Sequence, residues 1–255
     1  MSCGTVLLTG VGRRRGIAAG IALALAGDGW DLTLCHWPGY DERVGLEHSP
    51  DDAEAVATRC RELGAQVEVV AADLADPEVP ERLVREANRR GDLTALVLSH
   101  AESVDSAIRT TTVESWDRHF AVNARASWLL IRALAEQLDP AVVDRGAARV
   151  VALTSDHTAY NLPYGASKGA LDRLVVAAAH ELADLGVRAN VVNPGPIDTG
   201  WMTEEIREAG TAQTPLGRLG TPQDTADLVR FLLSEQGGWI TGQLLHSNGG
   251  FRTAD

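Results

Sequence analysis

Lysine is nearly missing from this 255-residue chain: of its 23 basic residues only Lys168 is lysine, and the rest are arginine. A GC-rich coding sequence accounts for the arginine, but not for the one position that kept lysine. An ammonium is a compact charge whose pKa moves with its surroundings, whereas a guanidinium stays protonated and demands planar partners. Lys168 is therefore a candidate for a chemical role. Cysteine is scarce as well. Cys3, Cys35 and Cys60 are odd in number and irregularly spaced, which excludes a disulfide framework, gives no metal spacing and leads us to expect a reducing, cytoplasmic setting. No apolar run approaches the roughly 20 residues of a membrane span. No basic leader precedes the apolar run that starts at Thr5, so no signal peptide is expected. Positive charge is in deficit: a formal net charge of −12 argues against a nucleic-acid or anionic-membrane surface and leaves room for a local basic patch that holds a phosphate.

What the chain does have is an alternation of short apolar runs with longer amphipathic ones. The apolar runs cover 5–9, 31–35, 66–71, 93–98, 149–154, 187–192 and 243–246. Each is rich in Val and Leu on both faces, as parallel strands covered on two sides require. Helical patterns fill 17–28, 51–63, 77–90, 113–138, 164–185 and 222–234. Thr111 with Glu114 has the form of a capping box, and Pro77 and Pro222 suit first-turn positions. The alternation predicts a single-domain, doubly wound (Rossmann) α/β fold with right-handed crossovers across residues 1–255. Two connections are long, 36–50 and 195–220, the second with a short helix expected near 203–209. Both follow strands, and ligands of open α/β sheets bind outside the carboxyl ends of the strands.

The first strand runs into Gly10-Val11-Gly12-Arg13-Arg14-Arg15-Gly16-Ile17. Glycines allow a tight turn and a close backbone approach, and a helix N-terminus offers free N–H groups to a pyrophosphate. Gly10, Gly16 and Ile17 are thus expected to hold a dinucleotide. The arginines suit a 2′-phosphate, with Arg15 the first choice and Arg14 the second. The second strand ends Leu34-Cys35-His36-Trp37 with no acidic residue before Asp41, whereas an NAD site usually has a carboxylate there. NADP(H) is accordingly expected over NAD(H).

Tyr164 and Lys168 lie four residues apart at the start of a predicted helix, one turn from each other on one face. An adjacent ammonium lowers a phenol pKa toward neutrality, which suits a group that gives a proton to a developing alkoxide. Ser155, at the end of the fifth strand, is placed to hold a carbonyl oxygen. Asn123, a poor helix former inside a long helical pattern, is read as an inward polar group bonding the backbone, with Lys168 reached through water.

Together these residues resemble the short-chain dehydrogenase/reductase family over essentially the whole chain. The matches are Gly10 to Ile17, Asp73-Leu74, Asn123, Ser155, Tyr164 with Lys168, Asn193-Pro194-Gly195-Pro196-Ile197 with Thr199, and the tail from Ile240 to Gly250. The resemblance implies a seven-stranded parallel sheet of order 3-2-1-4-5-6-7 and a homotetramer or dimer. It implies adenine contacts from Asp73 and Leu74, nicotinamide contacts from Pro194, Ile197 and Thr199, and a ribose contact from Lys168 besides its effect on Tyr164. Segment 195–220, with Trp201, Met202 and Ile206, would be an apolar lid. The expected activity is reduction of a ketone, or oxidation of the alcohol, with Tyr164 as general acid and base. The chain also departs from the family. Five residues separate Gly10 from Gly16, as in the enoyl-acyl-carrier reductases of the same superfamily, whereas the Tyr164–Lys168 spacing is that of ketoreductases. The usual Asn-Asn-Ala-Gly run is replaced by Ser99-His100-Ala101-Glu102, of which only Ala101 matches, and Ser155 lies closer to Tyr164 than the family's serine does. His157, inside that loop, is expected to be solvated. An enoyl reductase, a non-redox enzyme of the same fold and a catalytically silent NADP-binding protein are the alternatives.

Overall fold

The computed structural model describes residues 3–251. Seven strands form one parallel sheet: β1 (Thr5–Thr9), β2 (Asp31–His36), β3 (Val67–Ala71), β4 (Leu93–Leu98), β5 (Arg149–Leu153), β6 (Arg188–Asn193) and β7 (Leu244–His246). Their spatial order is β3-β2-β1-β4-β5-β6-β7, the order the resemblance implies. Continuous apolar runs produce this because every residue of β1, β4 and β5 is buried, and period-two alternation sends neighbours to opposite faces. Leu7, Leu96, Val150 and Val191 join one core layer; Val6, Leu8, Val97 and Val192 join the other. The edge strand β3 is only partly covered.

The helices are α1 (Ile17–Gly27), α2 (Pro38–Val44), α3 (Asp52–Glu62), α4 (Val79–Ala87), α5 (Val113–His119), α6 (Ala126–Gln137), α7 (Pro140–Asp144), α8 (Leu162–Glu181), α9 (Glu204–Gln213) and α10 (Pro222–Leu233). Against one face α1 packs on α10, and Gly20 makes the approach possible, since a Cβ there would lie 2.7 Å from the Pro222 ring. Helix α10 opens with a reciprocal capping box between Thr221 and Asp224, each supplying a partner for the other's end group.

Several sequence expectations are corrected. The long connection at 36–50 contains α2, which starts on Pro38 and ends at Gly45 with φ 67°. The 113–138 helix is interrupted by a π-helical turn, Phe120–Arg125, an extra-residue bulge of the kind found at functional positions. Its cap is Thr112, whose hydroxyl accepts from Ser115 N at 3.1 Å, while Thr111 turns back to Ala107 O at 2.9 Å. Pro77 lies before α4, and Pro80 takes the first-turn position. The 195–220 segment holds a longer helix than expected, with Thr203 as its cap.

Candidate active site

The carboxyl ends of β1, β2, β4, β5 and β6 open on one edge of the sheet. At β1, Gly10 has φ 84°, and a Cβ there would sit 2.7 Å from Ser99 O and 2.9 Å from His100 N. The turn is thus pressed against the backbone leaving β4, which only glycine permits. Gly16 caps α1 without any side-chain hydrogen bond, so the first-turn N–H groups remain available to an anion. These features fit the pyrophosphate of a dinucleotide. Gly10→Ala should lower stability by about 1–3 kcal/mol, through left-handed strain and the clash. An unchanged urea midpoint would refute this account of the turn.

Beyond the turn lies a cavity of about 180 Å³ bounded by Gly12, Arg13, Trp37, Tyr40, Asp41, Asp73, Leu74, Ala101 and Glu102, among others. The three arginines differ in their surroundings. Arg13 lines the cavity and pairs with Asp41 at 3.4 Å. Arg14 is engaged by Asp52 at 2.7 Å, and Arg15 lies beside Gly200, its guanidinium carbon 3.7 Å from where a Cβ would stand. Asp41, in α2 beyond the end of β2, is buried; burial pushes its pKa up while Arg13 opposes the shift. Asp73 accepts from Ala75 N at 2.9 Å and faces Arg118 at 3.2 Å. Arg118 lies over the Trp37 ring at 4.6 Å.

Asn123 is fully buried. In the π-helical turn its amide clamps the backbone of Glu102, accepting from Glu102 N at 2.7 Å and donating to Glu102 O at 2.9 Å. It also donates to Ser167 Oγ at 2.8 Å, so it ties the strand end of β4 to α8.

Tyr164 and Lys168 emerge from the first turns of α8. The Lys168 ammonium is 2% exposed; it donates to Leu153 O at 2.8 Å and to His100 O at 3.4 Å and lies 5.8 Å from the Tyr164 ring centroid. Burial pulls its pKa down to about 8, with Asp172, one turn further along α8, acting in the opposite direction. The Ser155 hydroxyl stands near the Tyr164 phenol, on whose pKa it acts, and accepts from His157 N at 3.2 Å. The short loop reaches this arrangement by placing Tyr160 in the left-handed region at φ 63°. The expectation of a lowered phenol pKa is corrected: burial dominates and pushes Tyr164 up to about 12, against the opposing effect of the Ser155 hydroxyl. The phenol is thus held protonated, the form in which it can donate. His157 is exposed. Pro194, Ile197 and Thr199 lie buried just beyond β6, and Met202 is buried while Trp201 and Ile206 are exposed.

His100 was not foreseen as a structural residue. Its Nε2 stands 3.0 Å from Val122 O and its Nδ1 2.7 Å from Thr9 Oγ1. With Nε2–H donating to the carbonyl, Nδ1 accepts from the threonine. Burial and the Lys168 charge push its pKa down to about 3, so the ring is neutral and cross-links β1, β4 and the π-helical turn. Tyr40, Arg43, Glu102 and Arg118 were also not singled out. The one sequence signal was a glutamate where the family has glycine.

A seven-stranded parallel sheet with a glycine turn after β1 and a Tyr–Lys helix after β5 defines a dinucleotide-dependent oxidoreductase. Comparison with known proteins agrees. The family model described as enoyl-(acyl carrier protein) reductase, adh_short_C2, matches residues 10–252. The oxidoreductase YjdA of Bacillus subtilis is 32% identical over 250 residues, covering 96% of this chain and 95% of the relative. A 3-oxoacyl-[acyl-carrier-protein] reductase FabG of Aggregatibacter actinomycetemcomitans is 31% identical over 252 residues, covering 96% and 98%. Among solved structures, a short-chain dehydrogenase of Burkholderia cenocepacia in complex with NADP superposes with a TM-score of 0.85 at 28% identity, covering 98% of each chain. The chain belongs to the short-chain dehydrogenase/reductase family, and its cofactor is a nicotinamide dinucleotide.

Proposed function

We propose that the protein is an NADPH-dependent reductase of ketones, working in the reverse direction on the corresponding alcohols. The observation that supports it most is the convergence of Tyr164, Ser155 and buried Lys168 at the end of β5. The bound cofactor supplies the hydride. Ser155 holds the carbonyl oxygen, and Tyr164, protonated at neutral pH, gives its proton to the oxygen as negative charge develops there. Lys168, held by two backbone carbonyls, is the positive charge that favours the phenolate left behind. Gly10, Gly16, Ile17, Asp73, Leu74, Ala101, Pro194, Ile197 and Thr199 make up the rest of the cofactor site, with Arg13 taking over the task first given to Arg14 and Arg15. Segment 195–220 serves as the substrate lid of a single domain, and within it the Arg207–Asp198 pair at 3.1 Å ties α9 to the loop that follows β6. Its apolar residues suit bulky acyl, polyketide-like or cyclic ketones. We place the enzyme in the cytoplasm as a homotetramer or dimer.

The preference for NADPH is tested without a substrate. A ligand at about 100 times its Kd adds about 2.7 kcal/mol, which for a domain of this size raises Tm by roughly 5–10 °C. A shift of that size with NADPH and a much smaller one with NADH at equal concentration is the expected result; equal shifts would remove the preference. The description of the matching family and the five-residue glycine turn favour a second reading, an enoyl thioester reductase. Turnover of a 2-enoyl thioester but not of 3-oxoacyl or cyclic ketones would establish it in place of the first.

A further inference from the structure

Asp172 occupies the middle of the 20-residue α8, where aspartate is among the weaker helix formers. Its Oδ1 atom is buried and makes no hydrogen bond among the described residues, and the same holds for the Oγ1 atom of Thr154, just past β5. A buried polar atom without a partner is destabilising unless a nearby charge compensates it. Lys168 supplies that charge. Tyr164, Lys168 and Asp172 follow one another at four-residue spacing along one face of α8, about 6 Å per step. The Lys168 ammonium donates to Leu153 O at 2.8 Å, and Thr154 is the next residue in the chain, so one strand end meets both members of the pair. The Thr154 hydroxyl stands near the Asp172 carboxyl, on which it acts. Lys168 is buried, and its direct partners are neutral, the carbonyls of Leu153 and His100. The ring of His100, beside it, is neutral at physiological pH. Around the Asp172 carboxyl stand Lys168, Arg173 and His246; Arg173 and His246 are exposed, and Lys168 is the inward cation.

We propose that Asp172, together with the Thr154 hydroxyl, is a positioning residue for the reaction: its carboxylate is the internal counter-charge that keeps the Lys168 ammonium protonated and fixed beside Tyr164. The inference rests on the reading of Lys168 as the charge that favours the phenolate. Placement along the helix decides what the carboxylate does. The ammonium lies between the phenol and the carboxylate, so the anion is about twice as near to the lysine as to the tyrosine. It stabilises a cation that has left water, and less of its repulsion reaches the phenolate, because Coulomb energy falls with distance. A carboxylate bonded directly to the ammonium would occupy its N–H groups and cancel the field that the phenolate needs. Burial pulls the lysine down and Asp172 opposes it. Burial in turn pushes the Asp172 carboxyl up, while Thr154 and Lys168 draw it back. Each charge thus holds the other in its ionised form.

Because the chain has a single lysine, the test is direct. Full-length protein made with lysine labelled with carbon-13 at Cε shows one lysine side-chain resonance, and its pH titration reads the ionisation of Lys168 with no substrate present. The wild-type midpoint is expected near 8. Asp172→Asn should move it to lower pH, Asp172→Glu should keep it close to wild type, and Thr154→Val should move it the same way as Asp172→Asn by less. Asp184→Asn, which removes an exposed carboxylate beyond the end of the same helix, should leave it in place. In reduction assays the fall in rate above the midpoint should shift with it. Asp172→Asn should then lose about threefold or more at about pH 8 and stay within about twofold of wild type at about pH 6. A midpoint unmoved by Asp172→Asn would overturn the proposal. Equal shifts from the Asn and Glu variants would also overturn it, since they would mark packing in place of charge. A midpoint that moves while the rate profile stays would overturn the role of Lys168 in the reaction, and with it that of Asp172, though the charge pair would stand. Melting curves accompany the series. If Asp172→Asn does not fold, Thr154→Val and Asp172→Glu carry the test, and a Thr154→Val midpoint equal to wild type then overturns it.

Discussion

Tyr164→Phe is expected to reduce turnover by about 10²–10⁴-fold, the span attributed to a positioned general acid, while cofactor affinity stays within about threefold. The substitution removes only the phenol hydroxyl beside Ser155. The ring remains, and with it the packing above Lys168 at 5.8 Å, so a loss of activity cannot be ascribed to a lost core contact. The direction of the proton follows from burial. A phenol held at about 12 is protonated across the physiological range, ready to donate in reduction, and it becomes a base only when charge is placed beside it. The chemistry of Ser155 is separable in the same assay: it holds the carbonyl oxygen, so its loss should fall on KM as well as kcat, whereas loss of the Tyr164 hydroxyl should fall on kcat. Single-turnover reduction of a ketone that the wild type accepts, followed at the cofactor absorbance, is the measurement. Activity within about threefold of wild type would remove Tyr164 from the role of acid.

The sheet was legible in the sequence because each inner strand is buried on both faces, leaving an unbroken run such as Val6-Leu7-Leu8 that no amphipathic helix would carry. Helix α2 was not, because Trp37-Pro38-Gly39 has the composition of a turn. Proline fits a first helical turn as readily as it fits a loop, and only packing over the groove decides between them. The π-helical turn was hidden for a related reason: Asn123 looked like one weak residue in a good helix, and its purpose is set by Glu102, 21 positions away. The catalytic pair was legible since it sits within one helical turn, where spacing fixes proximity. The three arginines were not separable, as identical side chains in a row are told apart only by what faces them, Asp41 for Arg13 and Asp52 for Arg14. The Arg43–Glu102–Arg118 cluster spans separations of 59 and 16 residues, beyond what local spacing can show.

Lys168→Arg is expected to impair reduction by about 10²-fold or more although it keeps the charge. The ammonium occupies a site 2.8 Å from Leu153 O and 3.4 Å from His100 O with 2% exposure, and a planar guanidinium is too large to share it without pushing Tyr164 aside. Overpacking of this kind costs about 1–3 kcal/mol of stability, so a melting curve accompanies the kinetics. The pH dependence separates charge from shape. With its pKa near 8, Lys168 loses its proton above that pH, and the wild-type reduction rate should be level below it and fall above it. Arginine stays charged beyond pH 12, so the residual activity of the variant should show no such fall; a decline at the same pH in both proteins would mean another group governs it. Lys168→Met supplies the opposite arm. A folded-state pKa held below the usual 10.5 means that the buried ammonium opposes folding below about pH 8, an effect on the order of 3 kcal/mol that fades as pH rises to the unfolded value. Removing the ammonium should therefore leave stability at pH 7 equal or higher while activity is lost. A chain that becomes more stable and inactive by the same substitution would show that this lysine is retained for chemistry, at the expense of the fold that holds it.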